Sequence, residues 1–316
     1  ETVNAINNLA LITGKVGQPG SSPFSITGQC NAMGTREAGF TSSMPGYRKF
    51  ESDADRKELA ALWGIHDRRI PTQRGLAYPD ILEAVIAGKV KGLWIIATNP
   101  LVSYPNNGYL LDALERLEFL VVQDGYHPTP TTQLADMVLP AAIWGEKEGT
   151  YTNSERRVSK ANKAVEPPGQ AKSDFEIFLM IAQQLGMRDE LFPGWSTPKD
   201  AYDEWRKVSA GRLCDYSGIS YELLDKFGGI QWPFSPSMPE EDAPKARRLY
   251  ADGVYPTADQ KAKLFVVECE DMPEPVTRDY PFILNTGRTV EHWHTRTKTG
   301  MVPILQKLSP EAWLEM

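Results

Sequence analysis

The sequence predicts an α/β fold with a doubly wound, mainly parallel β-sheet. Residues 93–97 are a continuous apolar run and residues 119–124 begin with four apolar residues, as is typical of strands that are covered on both faces. Helical patterns precede, separate and follow these runs at the spacing of βαβ units. After residue 258, two strand-like segments lie on either side of a proline-rich connector, and they indicate a second, β-rich domain.

The helices of the first region are defined by their ends. Apolar residues at near-helical spacing predict a helix at the start of the chain that ends at Gly14. Residues 53–64 predict a helix with a glycine stop, and residues 78–90 predict another that ends near Gly88. The alternating pattern is completed by a helix over 106–118, a short helix over 129–135 and a short strand near 137–139.

The rest of the chain divides into a helical part and a β-rich part. Ser173 as an N-cap, followed by an apolar face, predicts a helix over 173–186. The further elements expected are helices over 196–211 and 220–229 and strands over 261–270 and 280–287. The expected regions are an α/β region over 1–150, a mostly helical connecting region over 151–257 and a β-rich region over 258–316.

Composition excludes several classes of protein. The 316 residues carry 34 basic and 41 acidic side chains, and a net charge of −7 argues against generic binding of nucleic acid. No apolar run is long enough for a membrane span. The three cysteines are far apart and form no C-x-x-C motif, which favours reduced thiols in a cytoplasmic protein. The chain does not begin with Met, so we expect a fragment or a processed product.

A long glycine-rich stretch, TGQCNAMGTREAGF, lies in a region without clear periodicity over residues 21–50. Gly28 and Gly34 allow a ligand to approach the backbone closely, and Arg36 offers a planar fork to an oxyanion. Gln29 lies in the same stretch. The alternative is that Arg36 and Glu37 form a structural ion pair inside a compact loop.

Polar residues follow the predicted parallel strands. In such sheets ligands bind outside the carboxyl ends of the strands. The candidates there for a nucleotide are Thr98, Asn99, Pro100, Asp124 and Thr129. The alternative is that the Asn99–Pro100 pair is a turn and Asp124 a loop cap. The sequence has neither G-x-G-x-x-G after a strand nor a P-loop, so ordinary NAD or ATP binding is disfavoured.

The segment NTGRTVEHWHTRTKTG, residues 285–300, is dense in hydrogen-bond donors suited to phosphate oxygens. Its candidate residues are Gly287, Arg288, His292, Trp293, His294 and Thr295. A solvated basic loop is one alternative. A zinc site at His292 and His294 is another, but the pair lacks nearby third and fourth ligands, so we assign no metal ligand.

Several of these motifs, in this order, resemble the molybdopterin oxidoreductases of the dimethyl sulfoxide reductase class. The motifs are TGQCNAMGTREAGF, IATNPLVSYPN, VVQDGYHPTPTTQLADMVLPAAIWGEKEGTYTNSERRV, GGIQWP, RLYADGVYPTADQKAKL and YPFILNTGRTVEHWHTRTKTG. Within this class the chain is most similar to assimilatory nitrate reductase catalytic subunits, and next to formate dehydrogenase α-subunits. The resemblance covers about residues 1–186 and 228–316.

The resemblance implies a bis-molybdopterin guanine dinucleotide cofactor with molybdenum, held by α/β domains and a C-terminal β-barrel domain. Thr98, Asn99, Pro100 and Asp124 would then hold one guanosine end. Gly28, Gln29 and Gly34 would lie beside the metal, and Arg36 would hold nitrate. The residues that would contact pterin or phosphate are Gly287, Arg288, His292, Trp293, His294 and Thr295. The family's cysteine cluster for an iron–sulfur centre is absent from this sequence, so the resemblance implies that it lies in a missing N-terminal part.

The resemblance therefore predicts part of a nitrate reductase that is inactive as this chain alone. Electrons would come from ferredoxin or a flavoprotein. One alternative is a formate dehydrogenase α-subunit. Another, from a different class, is a non-catalytic nucleotide-binding fragment.

Overall fold

A computed structural model describes residues 2–268, 270 and 274–315. The helices are α1 (Thr2–Ile12), α2 (Ala32–Glu37), α3 (Asp53–Trp63), α4 (Tyr78–Ile86), α5 (Pro100–Ser103), α6 (Asn107–Glu115), α7 (Pro130–Leu134), α8 (Asp174–Gln184), α9 (Arg188–Leu191), α10 (Pro198–Ser209), α11 (Tyr221–Phe227) and α12 (Pro303–Leu308). The strands are β1 (Gly92–Ile96), β2 (Phe119–Asp124), β3 (Met137–Pro140), β4 (Gly149–Thr152), β5 (Arg157–Ala161) and β6 (Ile230–Gln231).

The chain forms two compact units. The first unit consists of Glu1–Arg74, Gly149–Ala161 and Trp195–Pro281. The second unit consists of Gly75–Glu148, Asn162–Gly194 and Phe282–Met316.

The second unit is built on a parallel three-stranded sheet in the order β1-β2-β3, which confirms the predicted fold class. In the register of the sheet, Trp94 lies beside Val121 and Gln123 lies beside Leu139. Because the strands are parallel, their carboxyl ends lie at one edge of the sheet, where loops can meet a ligand.

Helices cover both faces of this sheet. On one face, Leu120 and Val122 of β2 pack in a buried cluster with residues of α4 and α6. On the other face, Trp94 lies 5.2 Å from the ring of Phe178 in α8. The alternation of faces along each strand produces this division, because successive side chains point in opposite directions. Full burial of a side chain such as Leu120 stabilises the unit by roughly 1.5–3 kcal/mol.

The first unit contains a small antiparallel sheet, β4-β5-β6, that the sequence did not predict. Strands of two to five residues carry too little alternation to be recognised from sequence. The turn between β4 and β5 contains Arg156 in the left-handed region, with φ 68°. Behind the sheet lies an aromatic-rich core that includes Tyr216, Trp232 and Phe234.

The two strands predicted after residue 258 are wrong for the described part of the chain, since no described residue there belongs to a strand. Residue 269 of the first lies outside the described residues. A strand needs a neighbour to satisfy its backbone groups, and neither segment pairs with one here. Apolar side chains such as Val266 and Phe282 are accordingly exposed, at 95% and 81%. The predicted β-barrel start is therefore not formed by these residues.

The glycine-rich region over 21–50 is mostly irregular, as predicted, but it contains two short helical turns. One is α2, and the other is a 3-10 turn over Pro45–Tyr47. Arg36 and Glu37 therefore lie on a helix, where a loop was expected.

Candidate functional site

Asn99 ties together three segments at the carboxyl edge of the parallel sheet. Its Oδ1 accepts a hydrogen bond from the Thr131 hydroxyl at 2.7 Å, and its Nδ2 donates to Thr297 Oγ1 at 3.2 Å. The side chain is buried, and Ala97, two residues earlier, has a left-handed φ of 56°. Such backbone strain costs about 1–3 kcal/mol and is characteristic of functional sites. The 285–300 segment is thus fixed to the end of β1.

Asp124, at the end of β2, faces the same segment. Its Oδ1 accepts a hydrogen bond from the Tyr126 backbone N–H at 2.9 Å, so one oxygen caps the loop. Burial raises the pKa of Asp124, while the backbone N–H groups of Tyr126 and Gly125 and the charge of Lys298 act in the opposite direction. The Lys298 ammonium lies 5.9 Å from the centre of the Tyr126 ring. A cation from the 285–300 segment therefore reaches this edge.

The 285–300 segment is internally braced. Nε2 of His292 lies 2.7 Å from the Ser309 carbonyl oxygen, and Nδ1 lies 3.2 Å from Thr299 Oγ1. A carbonyl only accepts, so we assign the proton to Nε2 and let Nδ1 accept from the hydroxyl. His294 and Arg296 have left-handed φ values of 46° and 62°. The segment is therefore braced at His292 and Arg296 and exposed over residues 285–288.

A cavity of about 570 Å³ lies against this segment. Four of the predicted residues line it, namely Gly287, Arg288, His292 and His294. The Arg288 guanidinium is exposed and has no hydrogen-bond or ion-pair partner among the described residues. Glu311 and Glu315 supply the acidic part of the wall. Trp293 and Thr295 do not line the cavity, and Thr295 Oγ1 lies 2.8 Å from Thr297 Oγ1.

The other strand-end candidates serve the fold. Thr129 is buried and caps α7, because its hydroxyl accepts from the Thr132 N–H at 3.1 Å. Pro100 is buried at the start of α5, and Thr98 is exposed beside it. The loop bond of Asp124 favours the cap alternative for that residue, whereas Asn99 and Thr129 form hydrogen bonds within the fold.

In the first unit, Arg36 and Glu37 point to different environments. The Arg36 guanidinium is exposed and bonds to no described residue. The Glu37 side chain is buried, with 0% exposure. Its Oε1 accepts from Trp232 Nε1 at 2.6 Å, and its Oε2 accepts from the Tyr216 hydroxyl. The alternative of an Arg36–Glu37 ion pair is therefore wrong.

Glu37 is the site residue that sequence reasoning missed. Burial raises the pKa of Glu37 to about 7, against the hydrogen bonds from Tyr216 and Trp232 and the charge of Arg156. Tyr216 donates to Glu37, so its oxygen accepts from the Thr152 hydroxyl at 2.5 Å. The partners of Glu37 lie 179 and 195 residues away along the chain, and no local pattern predicts such contacts.

The structure explains why position 34 is a glycine, which the sequence did not reveal. A Cβ at this position would lie 2.3 Å from Asn31 Oδ1. That oxygen accepts from the Thr152 backbone N–H at 2.9 Å and so ties α2 to β4. Gly28 and Gln29 precede this turn and are exposed. The glycine-rich stretch thus places Arg36 on helix α2, which the hydrogen bonds of Asn31 and Glu37 fix in position.

Comparison with known proteins identifies the family. The sequence profile described as "Molybdopterin oxidoreductase" matches residues 1–184, which is more than half of the chain. The chain belongs to the molybdopterin oxidoreductase family. The resemblance stated from the sequence motifs is confirmed.

Relatives of this molybdopterin oxidoreductase chain include enzymes with two different substrates. A "Nitrate reductase" from Synechocystis sp. is 42% identical over 96% of this chain and 42% of its own length. The "Assimilatory nitrate reductase catalytic subunit" of Bacillus subtilis is 38% identical over 99% of this chain and 43% of its own. The "F420-dependent formate dehydrogenase subunit alpha" of Methanocaldococcus jannaschii is 37% identical over 100% and 44%. The chain thus spans less than half the length of these relatives.

Among solved structures, acetylene hydratase from Pelobacter acetylenicus resembles the chain with a TM-score of 0.42 and 22% identity. The likeness covers 62% of this chain and 27% of that one.

Family membership implies a molybdenum–pterin cofactor, and the donors of the second unit fit its phosphate-bearing part. Arg288 is exposed beside the cavity, and the 285–300 segment is rich in hydroxyls. Guanidinium and hydroxyl groups are donors that bind phosphate oxygens in proteins. Within the described ranges, no group of three or more His, Cys, Asp or Glu side chains could hold a metal ion. The zinc alternative at His292 and His294 therefore lacks support. None of the described helices is long and apolar enough to cross a membrane.

Proposed function

We propose that this chain is part of a nitrate reductase that carries bis-molybdopterin guanine dinucleotide. The observation that carries the proposal is the exposed Arg36 guanidinium, which no described residue neutralises, on a turn fixed by the buried Glu37. Two of the relatives described above are named nitrate reductases, and their similarity extends over nearly the whole chain.

The reaction consumes nitrate, two protons and two electrons, and it yields nitrite and water. When bound, the molybdenum centre supplies the two-electron oxygen-atom-transfer chemistry. Arg36 binds and orients the nitrate anion through its planar pair of N–H donors. The same cation stabilises negative charge that develops on the oxygen being removed.

The remaining site residues serve the cofactor in this proposal. Arg288, His292 and His294 line the cavity for its phosphate or pterin part, with Gly287, Trp293 and Thr295 around them. Asp124 and Thr98 approach the guanosine end, while Asn99, Pro100 and Thr129 shape that pocket through the fold. Gly28, Gln29 and Gly34 keep the backbone beside the metal.

We also propose the regions of the whole protein to which this chain belongs, its electron donor and its location. Residues 1–150 and 151–257 correspond to the α/β and connecting regions of the whole protein, and residues 258–316 to the region where a barrel was expected but no described residue lies in a strand. An iron–sulfur cluster outside this chain passes electrons from ferredoxin or a flavoprotein. The free thiols of Cys30 and Cys214, the first of them exposed, favour a reducing, cytoplasmic location.

A formate dehydrogenase α-subunit is the second candidate, because a relative with that name covers the entire chain at 37% identity. The test is turnover by the purified gene product that contains this chain, with nitrate and with formate as alternative substrates. We expect nitrite production with a reduced viologen as donor and no formate oxidation. The opposite pattern would assign the chain to the formate enzymes. A product without molybdenum or pterin would leave only the non-catalytic nucleotide-binding alternative.

A further inference from the structure

Three arginines line one groove of the first unit, and Arg36 is not among its lining residues. The groove has a volume of about 510 Å³ and is bounded by Arg156, Arg247 and Arg248 together with Tyr250 and Phe24. We propose that this groove is a binding site for a divalent tetrahedral oxyanion, either free phosphate or a phosphate monoester. This inference is independent of the proposed nitrate chemistry.

The arginines of the groove form no ion pair with a described carboxylate, although Glu155 lines the groove and the charges of Glu155 and Glu37 act on Arg156. Among the described residues, none of the three guanidinium groups lies within ion-pair distance of a carboxylate, whereas the adjacent Arg157 pairs with Glu155 at 2.7 Å. Asp242, which acts on Arg247 electrostatically, is itself paired with Lys245 at 2.5 Å. Half-buried cations without a counter-ion are costly, and a bound anion would relieve that cost.

Two of the arginines are held rigidly in place. Arg156 donates to the carbonyl oxygens of Trp232 and Arg247, the latter at 2.5 Å, and Arg247 donates to the carbonyl oxygen of Gln231. Carbonyl acceptors satisfy N–H groups but leave the net charge of the guanidinium intact. Burial lowers the pKa of Arg156, and the charge of Arg247 lowers it further. The fold therefore maintains two like charges side by side.

The backbone of the groove is also strained. Arg156 and Tyr250 both have left-handed φ values, 68° and 61°. The backbone of Tyr250 approaches Gly17 so closely that a Cβ there would lie 2.5 Å from its carbonyl oxygen. Strained residues that a fold maintains are concentrated at ligand sites. Strained backbone and arginines without an ion pair therefore coincide in this groove.

Arg248 provides the test, because it is exposed and forms no hydrogen bond to any described residue. Arg248→Gln should therefore fold like the wild type. We would titrate inorganic phosphate into the purified protein by calorimetry, with ionic strength held constant by NaCl. We expect saturable binding that weakens about tenfold or more in Arg248→Gln, as loss of one charge-assisted hydrogen bond implies.

Arg68→Gln is the matched control, because Arg68 is an exposed arginine of the same unit that does not line the groove. It changes the net charge equally and should leave the affinity for phosphate unchanged. A parallel titration with adenosine monophosphate distinguishes the two sources of the anion: tighter binding than phosphate indicates a monoester, and equal binding indicates free phosphate. Absence of saturable phosphate binding, or equal weakening in both variants, would overturn the proposal.

Discussion

Trp232 Nε1 donates a hydrogen bond of 2.6 Å to Oε1 of Glu37, across 195 residues of sequence. Both side chains are buried, at 2% and 0% exposure. The bond connects the core of the first unit to the turn that carries Arg36. It explains why an acidic residue can follow the candidate nitrate-binding arginine without neutralising it.

Replacing Trp232 by Phe should destabilise the first unit by more than the loss of indole contacts alone. A buried acceptor that loses a donor costs about 1–3 kcal/mol. We expect the loss of unfolding free energy to increase above pH 7, because the charged Glu37 carboxylate is stabilised most by its hydrogen-bond donors. Denaturant unfolding at pH 6 and pH 8 measures this. Trp205→Phe is the control, because Trp205 packs against Tyr216 at 5.4 Å and shows no hydrogen bond from its indole. Equal losses for both variants would contradict the account.

Glu37 should make stability depend on pH near neutrality. Its pKa is about 7 in the folded state and near 4.5 when exposed, so between these values the folded state binds more protons than the unfolded state. Its stabilising contribution is complete below about pH 4.5 and is lost as pH rises through 7. The shift corresponds to on the order of 3 kcal/mol. In Glu37→Gln this dependence of the unfolding free energy on pH should be absent. Plots of unfolding free energy against pH that stay parallel for the two proteins from pH 5 to pH 8 would refute the assignment.

Gly34→Ala should bring no gain in stability although alanine favours helices. The new Cβ displaces the Asn31 amide, which lies 2.3 Å away, and breaks its hydrogen bond with the Thr152 N–H. That loss, about 1 kcal/mol, works against the helix-propensity gain of similar size. Gly108 in α6 is the matched control, because nothing lies within 4 Å of its Cβ position. We expect Gly108→Ala to be more stable than Gly34→Ala by about 1 kcal/mol in denaturant unfolding, and the reverse order would show that Asn31 is not a constraint.

Asn99→Ala should release the 285–300 segment from the sheet of the second unit. The carboxamide is the link between Thr131 and Thr297. Amide hydrogen exchange over residues 295–300 should therefore become about tenfold faster, as loss of one hydrogen bond implies. Thr98→Ala is the control, since Thr98 is adjacent, exposed and without a hydrogen bond to a described residue. Unchanged exchange in Asn99→Ala would show that the segment is held by other contacts.

The sequence predicted the parallel sheet well, because its strands are local apolar runs with capped helices between them. Phe119–Asp124 was predicted with its observed bounds, and Ser173 caps α8 as expected. Elements that depend on distant partners were missed. The sheet β4-β5-β6 pairs residues near 158 with residues near 230, and Glu37 depends on Tyr216 and Trp232. The strands predicted after residue 258 had local patterns but found no neighbour in the described chain.

The site was predicted in the same uneven way. In the structure Arg36 and Arg288 are exposed and Asp124 is partly buried, and the roles predicted for them stay predictions. The sequence did not reveal that Asn99 and Thr129 form their hydrogen bonds within the fold. Those bonds depend on the positions of Thr131, Thr132 and Thr297. The family resemblance indicated the chemistry, and the structure showed the buried Glu37 that fixes the helix carrying Arg36.

Arg36→Gln in the complete, cofactor-loaded enzyme tests the central claim most directly. Losing a charge-assisted contact to the substrate costs about 1.5–3 kcal/mol, so the KM for nitrate should rise at least tenfold, with unchanged molybdenum content. Arg68→Gln, an exposed arginine on a different turn, should leave nitrate kinetics unchanged. Nitrate kinetics of Arg36→Gln that match the wild type would show that this guanidinium does not hold the substrate.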